Sequence, residues 1–323
     1  MLVDLPLARL REYESSQTEP DDFDEFWSAT LAGARAVPVE LEATRLDLPF
    51  STIDVFDVSF RGWAGERVRG WLRLPRSSDG PLPAVVQYVG YSGGRGAPVD
   101  ELFWASSGYA HLVMDTRGQG GSPMAEGTGD SGIPGATVGG VMTRGIEHRD
   151  DYYFRRVFTD AVRAVDAVRT HPAVDPRRVS VLGTSQGGGI ALAVAGLVPE
   201  LQAVSASVPF LCDFPRAIRV TDSDPYREIG RYLAAHRGAT AAVTRTLAYF
   251  DAVNFSRRAS APALFSTALM DSTCPPSTVF GAYNAYSGPK DITVWEFNGH
   301  EGGGPLDLLA SWRHVDRAGR APR

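Results

Sequence analysis

A chain of 323 residues with 43% hydrophobic residues is long enough to bury one large core, with or without a lid. Its formal net charge is −6, from 32 Lys and Arg against 38 Asp and Glu, and no basic run exceeds two residues; a nucleic-acid partner is not expected. No apolar stretch reaches membrane-spanning length, and Asp4 and Pro6 interrupt the N-terminus where a secretory leader needs an unbroken apolar run, so a cytoplasmic protein with no membrane partner is expected.

Taken in order, residues 1–40 read as an N-terminal extension. Phe23, Phe26, Trp27 and Leu31 recur at helical spacing behind Asp21, Asp22, Asp24 and Glu25, acids that suit the positive end of a helix. Residues 44–75 alternate and break at Gly62-Trp63-Ala64-Gly65, which predicts a β-hairpin or meander. Strands are predicted over 82–91, leading into a glycine-rich loop at 92–96, and over 109–115, leading into Thr116-Arg117-Gly118-Gln119-Gly120. Arg117 reads as a structural anchor for loops. Residues 122–140 lack any period and predict a long surface loop; 150–169 predict a helix whose apolar face holds Val157, Phe158, Ala161, Val162, Val165 and Val168.

A strand at 178–182 runs into Gly183-Thr184-Ser185-Gln186-Gly187, and a small-residue apolar helix resumes at 190–197. Strand, G-x-S-x-G, helix is the context of a nucleophile elbow, in which the serine is pushed out at the carboxyl end of the strand. Gly90-Tyr91-Ser92-Gly93-Gly94 matches the same string, but Pro98 follows where a helix should start, so Ser185 is preferred over Ser92. A strand is predicted at 203–210, then an insertion at 213–259 with three short helices forming a cap above the carboxyl edge of the sheet. Strands at 262–270 and 292–297 follow, then a helix at 306–315 and a frayed tail at 318–323. The alternation of strands and helices predicts an α/β fold in one domain, a mostly parallel central sheet with helices on both faces.

A serine needs a base, and the base needs an acid to hold its tautomer. Of the histidines after Ser185, His236 falls in the insertion and His314 in the closing helix; only His300 follows a strand. Asp271 ends the strand before it and is the preferred acid; Asp213, one element earlier, stays open as the alternative. Asp222, Asp224 and Asp251 read as cap-surface or helix-capping residues. The N–H of Gln186 supplies one oxyanion donor and that of Tyr91, after the 82–91 strand, the second. Cys212 and Cys274 read as buried free thiols near each other, with no metal-ligand spacing around them. These residues describe a serine ester hydrolase.

The blocks DLPLARLREY, QYVGYSGGRG, MDTRGQG, MTRG, YYFRRVFTDAVRAV, SQGGGIALAV, VPFLCDF, CPPSTVFGAYN and NGHEGGG span nearly the whole chain. With Arg117-Gly118-Gln119, Gly183-x-Ser185-Gln186-Gly187 and His300-Glu301 they resemble carbohydrate esterase family seven, the acetyl xylan esterases and cephalosporin C deacetylases. The resemblance implies an α/β-hydrolase fold, a triad of Ser185, His300 and Asp271, and an oxyanion hole from the N–H groups of Tyr91 and Gln186. It implies no metal or cofactor, small acetylated substrates such as xylo-oligosaccharides and cephalosporin C, and a homo-hexamer, a trimer of dimers whose sites face an interior cavity. It places Tyr91, Pro225 and Thr273 around the acetyl group. Threonine stands where a larger aliphatic residue is expected at 273, and 122–140 departs most from the family in composition. A carboxylesterase of broader acyl range, a related peptidase and a binding protein of the same fold are the rival readings.

Overall fold

The computed structural model describes residues 4–120, 127–131 and 136–320; the remainder of the 122–140 segment and the last three residues of the predicted tail lie outside the described residues. In chain order the elements are helices α1 (Leu7–Arg11) and α2 (Phe23–Arg35), strands β1 (Glu42–Arg45), β2 (Ile53–Arg61), β3 (Arg67–Pro75) and β4 (Leu82–Tyr88), then α3 (Phe103–Ser106), β5 (Ala110–Met114), α4 (Tyr153–Thr170), β6 (Val174–Thr184), α5 (Gln186–Leu197) and β7 (Val204–Ser207). Helices α6 (Phe214–Val220), α7 (Tyr226–Ala235), α8 (Thr240–Ala248) and α9 (Ala252–Ser256) precede β8 (Ala263–Ala268), α10 (Pro276–Ala285), β9 (Lys290–Trp295) and α11 (Pro305–Arg320). Among the described residues no helix is long and apolar enough to cross a membrane.

The strands form one sheet in the order β1-β2-β3-β5-β4-β6-β7-β8-β9. The pairings β1–β2, β2–β3 and β3–β5 are antiparallel, and every pairing from β5 to β9 is parallel. Chain order reverses about β4, whose neighbours are β5 and β6. Such a switch point opens a crevice beyond the carboxyl ends of the strands, and the loop after β4 and the turn after β6 both lie there.

Helix α5 is buried along ten of its residues, from Gln186 to Ala195, as expected of a helix that is apolar all round. It starts at Gln186 rather than 190, because the glycines of the turn belong to its first turn, where they lie against the backbone after β4 and β7. Strand β7 ends at Ser207 rather than 210, since Val208 turns the chain out of the sheet at φ +38°. The closing helix runs through the predicted tail to Arg320. Helix α10 has no counterpart in the sequence reading: its sequence carries few strong helix formers, and Pro276 occupies the first helical position, where its missing N–H is not needed.

The aromatic stripe of α2 is core. Trp27 packs on Phe158 of α4 and on Phe250 and Phe255, with ring centroids 5.4 to 5.9 Å apart, and its indole N–H donates to the Tyr249 carbonyl at 2.9 Å. The 213–259 insertion is therefore not a cap alone. It holds four helices; α9 lies against α5, and the Tyr249–Phe255 stretch shares the α2 core, while α7 reaches the crevice.

His111 sits fully buried in β5, with Nδ1 3.2 Å from the Glu101 carbonyl and Nε2 3.0 Å from the Gln87 amide. Burial, assisted by the charge of Arg73, drives its pKa down to about 3. A base whose folded pKa is depressed contributes stability that is present above its unfolded value, about 6.5, and is lost as pH falls toward 3. Between pH 7 and pH 4.5 this one group should remove on the order of 2 kcal/mol. Urea unfolding at both pH values is expected to show a smaller loss in His111→Gln than in the parent protein.

Candidate active site

Ser185 alone makes the turn between β6 and α5, at φ +57° and ψ −122°. This strained backbone is held from three sides. The Ser185 N–H donates to the Ser207 carbonyl at 3.0 Å, and the Ser185 carbonyl accepts from the N–H groups of Gly189 at 3.1 Å and Phe210 at 2.9 Å. A Cβ on Gly183 would stand 2.2 Å from the Gly187 carbonyl carbon, and one on Gly187 would stand 2.1 Å from the Tyr88 carbonyl oxygen. Only glycine fits at either position.

The Ser185 hydroxyl lies 2.9 Å from His300 Nε2, and His300 Nδ1 lies 2.9 Å from Asp271 Oδ2. Asp271, just after β8, is completely buried; its Oδ1 accepts from the backbone N–H groups of Thr273 at 2.8 Å and Cys274 at 2.9 Å. A carboxylate can only accept, so Nδ1 carries the imidazole hydrogen and Nε2 is left to accept from Ser185. His300 follows β9 in a turn closed by Glu301, which accepts from the Asn298 amide at 3.0 Å and the Gly299 N–H. A hydroxyl, an imidazole and a dry carboxylate in this order can move a proton off the serine and hold the resulting positive charge.

The alternatives lie elsewhere. Ser92, in the loop after β4, sits at φ +61° with its N–H on Gln119 Oε1 at 2.8 Å and no helix behind it. Asp213 is buried against the other end of the insertion: it accepts from the Tyr13 hydroxyl at 2.8 Å, and its N–H donates to Asp251 at 2.8 Å. Asp251 caps α9 as read, but it is buried rather than on the cap surface, and burial beside Asp213 pushes its carboxyl up to about 7. His236 bonds the Tyr232 carbonyl, and His314 the Pro262 carbonyl.

Neither the Tyr91 N–H nor the Gln186 N–H has an acceptor among the described residues. Both flank the crevice, one after β4 and one at the first position of α5. The Tyr91 ring packs edge-on against Phe210 at 6.3 Å; its hydroxyl donates to Glu228 of α7 at 2.8 Å and accepts from the Val141 N–H at 3.1 Å. Pro225 is buried at the start of α7, and Thr273 is half-buried beside Asp271.

Two residues of this arrangement were missed by sequence reasoning. Glu228 also accepts from the N–H groups of Gly140 at 2.8 Å and Met142 at 3.2 Å, so one carboxylate joins α7, the 140–142 turn and Tyr91. Nothing local in the sequence marks it. Gln119 is fully enclosed: Oε1 takes the Ser92 N–H, and Nε2 donates to Tyr153 Oη and Gln186 Oε1, each at 2.9 Å. It thus ties the loop after β4 to the first residue of α5, and its place just after β5 was the available signal. Arg117 anchors that loop as read, through a bidentate pair with Asp160 at 2.6 and 2.9 Å and single bonds to Glu66 at 2.6 Å and Asp130 at 3.3 Å.

The profile of the acetyl xylan esterase (AXE1) family matches residues 1–315. An acetyl esterase of Xylanibacter ruminicola is 31% identical over 288 residues, covering 87% of this chain; the chain spans 63% of that relative's length. Among solved structures, an acetyl xylan esterase from Paenibacillus sp. R4 superposes with a TM-score of 0.88 at 39% identity, over 97% of this chain and 99% of that one. Acetyl xylan esterase 1 from Thermoanaerobacterium sp. JW/SL YS485 has the same TM-score and coverage at 34% identity.

Gln119→Leu would leave the Ser92 N–H and the Tyr153 and Gln186 side chains short of a buried partner, at about 1–3 kcal/mol. Urea unfolding is expected to show that loss.

Proposed function

The chain belongs to the acetyl xylan esterase family, and from that premise we propose that it removes acetyl groups from small acetylated carbohydrates through an acyl-enzyme on Ser185. The observation that carries the mechanism is the Ser185–His300–Asp271 chain of two 2.9 Å hydrogen bonds. Ser185 Oγ attacks the acetyl carbonyl while His300 Nε2 takes its proton, and Asp271 holds the imidazolium that forms. The N–H groups of Gln186 and Tyr91 receive the oxyanion; a single donor of this kind contributes about 3–4 kcal/mol to the transition state. His300 then passes the proton to the departing alcohol oxygen, and water repeats the sequence to release acetate.

Tyr91, Pro225 and Thr273 bound the acyl side. Tyr91 is a fixed wall, because Glu228 and Val141 hold its hydroxyl and Phe210 its ring. Each methylene beyond acetyl must find space or push against packed side chains, at about 1–3 kcal/mol. Xylo-oligosaccharide acetates and cephalosporin C share only the acetyl ester, so both are proposed substrates. The proposed homo-hexamer, a trimer of dimers, rests on the family membership, and the exposed apolar side chains Phe297 and Leu306, 75% and 58% accessible, are available to a subunit contact. The fully buried free thiols of Cys212 and Cys274 support a cytoplasmic, reducing compartment.

Ser185→Ala is expected to fold normally and lose activity on nitrophenyl acetate by about 10⁴-fold or more, while Ser92→Ala keeps most of it. Across acetate, propionate, butyrate and octanoate esters, kcat/KM should fall steeply after acetate, with propionate closest because Thr273 is small. A maximum at butyrate or longer would favour the broader carboxylesterase. Light scattering after size exclusion is expected to give six times the mass of one chain.

A further inference from the structure

We propose that Asp271, Cys274 and His300, with Ser185 beside them, form a binding site for a zinc-type divalent cation that reversibly inhibits ester hydrolysis. One potential ligand atom from each of the three residues lies within 4.8 Å of the other two. Asp271 and Cys274 are completely buried, and His300 is open to the crevice. The Ser185 hydroxyl, 2.9 Å from His300 Nε2, stands beside the set as a further oxygen donor. Residues 271 and 274 stand three apart and His300 twenty-six further on, so no ligand spacing shows in the sequence; the ends of β8 and β9 assemble the set.

The donor types decide which ion fits. A sulfur, an imidazole nitrogen and a carboxylate oxygen suit Zn²⁺, Co²⁺ or Cd²⁺, whereas Mg²⁺ and Ca²⁺ call for oxygen alone. Zinc bonds of about 2.0–2.3 Å put tetrahedral donors roughly 3.3–3.8 Å apart. With all separations within 4.8 Å, the longest must shorten by no more than about 1–1.5 Å, within reach of side-chain rotation at Cys274 and His300. On binding, the thiol gives up its proton to solvent and the ion takes its place. If the ion holds His300 Nε2, the base is blocked directly. If it holds Nδ1, the imidazole hydrogen must sit on Nε2, where the base has to be vacant. Both arrangements stop proton transfer from Ser185, so the cation is an inhibitor rather than a participant.

The inhibition rests on the proposed role of Ser185, so the test separates binding from activity. In metal-free buffer, ZnCl₂ should suppress hydrolysis of nitrophenyl acetate, EDTA should restore it, and MgCl₂ and CaCl₂ should do neither. Relative to its own metal-free rate, Cys274→Ser should require at least about tenfold more ZnCl₂ for half-inhibition, having lost the sulfur ligand. CoCl₂ added to Ser185→Ala should produce an equimolar thiolate-to-cobalt charge-transfer band in the near ultraviolet, absent when Cys274→Ser is added to that background. Equal zinc sensitivity in the parent and Cys274→Ser, or no such band, would overturn the site. A cobalt band in a Ser185→Ala protein that still hydrolyses acetate would uphold the site and overturn the proposed nucleophile instead.

Discussion

The first turn of α5 lies directly on the end of β4, and this approach is possible only because residue 187 has no side chain. Moving the helix outward by the width of a methyl group would part the Gln186 N–H from the Tyr91 N–H and leave Gln119 unable to span the two loops. The same contact forces Ser185 into a backbone conformation that L-residues rarely adopt, so strain at the serine and alignment of the donors have one origin. Two backbone hydrogen bonds from the β7 side and one from Gly189 of α5 hold the strained residue, and α5 is buried deeply enough that it has nowhere to relax.

The remaining groups come from strand ends on the other side of β6. Asp271 follows β8 and His300 follows β9, neighbours in the parallel half of the sheet. Spacing within a parallel sheet is set by backbone hydrogen bonds, so three side chains carried by β6, β8 and β9 are positioned by the ladder of the sheet itself. Fine adjustment is local: two N–H groups orient the Asp271 carboxylate, and Glu301 shapes the turn that carries His300. Over the crevice the insertion contributes α7, and Glu228 fastens that helix to Tyr91.

Strand ends and their order were legible because they depend on local pattern: apolar runs, a glycine-flanked serine, and a single histidine after a strand. The sequence favoured Asp271 over Asp213 because its strand leads into the last strand, and left Asp213 open because it too follows a strand; sheet order separates them, with β9 beside β8 and not beside β7. Element boundaries slipped where tertiary contacts overrode local preference. The glycines 187–189 read as loop but are helix, and Val208 reads as strand but turns. Glu228 was beyond reach and the bonds of Gln119 were not foreseen, although its place after β5 was a signal. Cys274 was read as a buried free thiol, but its approach to Asp271 and His300 was not, because each of these contacts joins residues distant in sequence or on another strand end.

The surroundings of Arg117 bear on how such a sequence can change over generations. One enclosed guanidinium is shared among Asp160, Glu66 and Asp130, and Asp130 is also bound by Arg156. Losing the arginine alone strands buried carboxylates, and losing Asp160 alone strands the arginine; each step is harmful although an apolar replacement of the whole group could be neutral. Exchange of these residues therefore requires several coordinated substitutions whose intermediates are all less fit. Change in the loop that presents Gln119 is in this sense gated by the buried charge cluster beneath it.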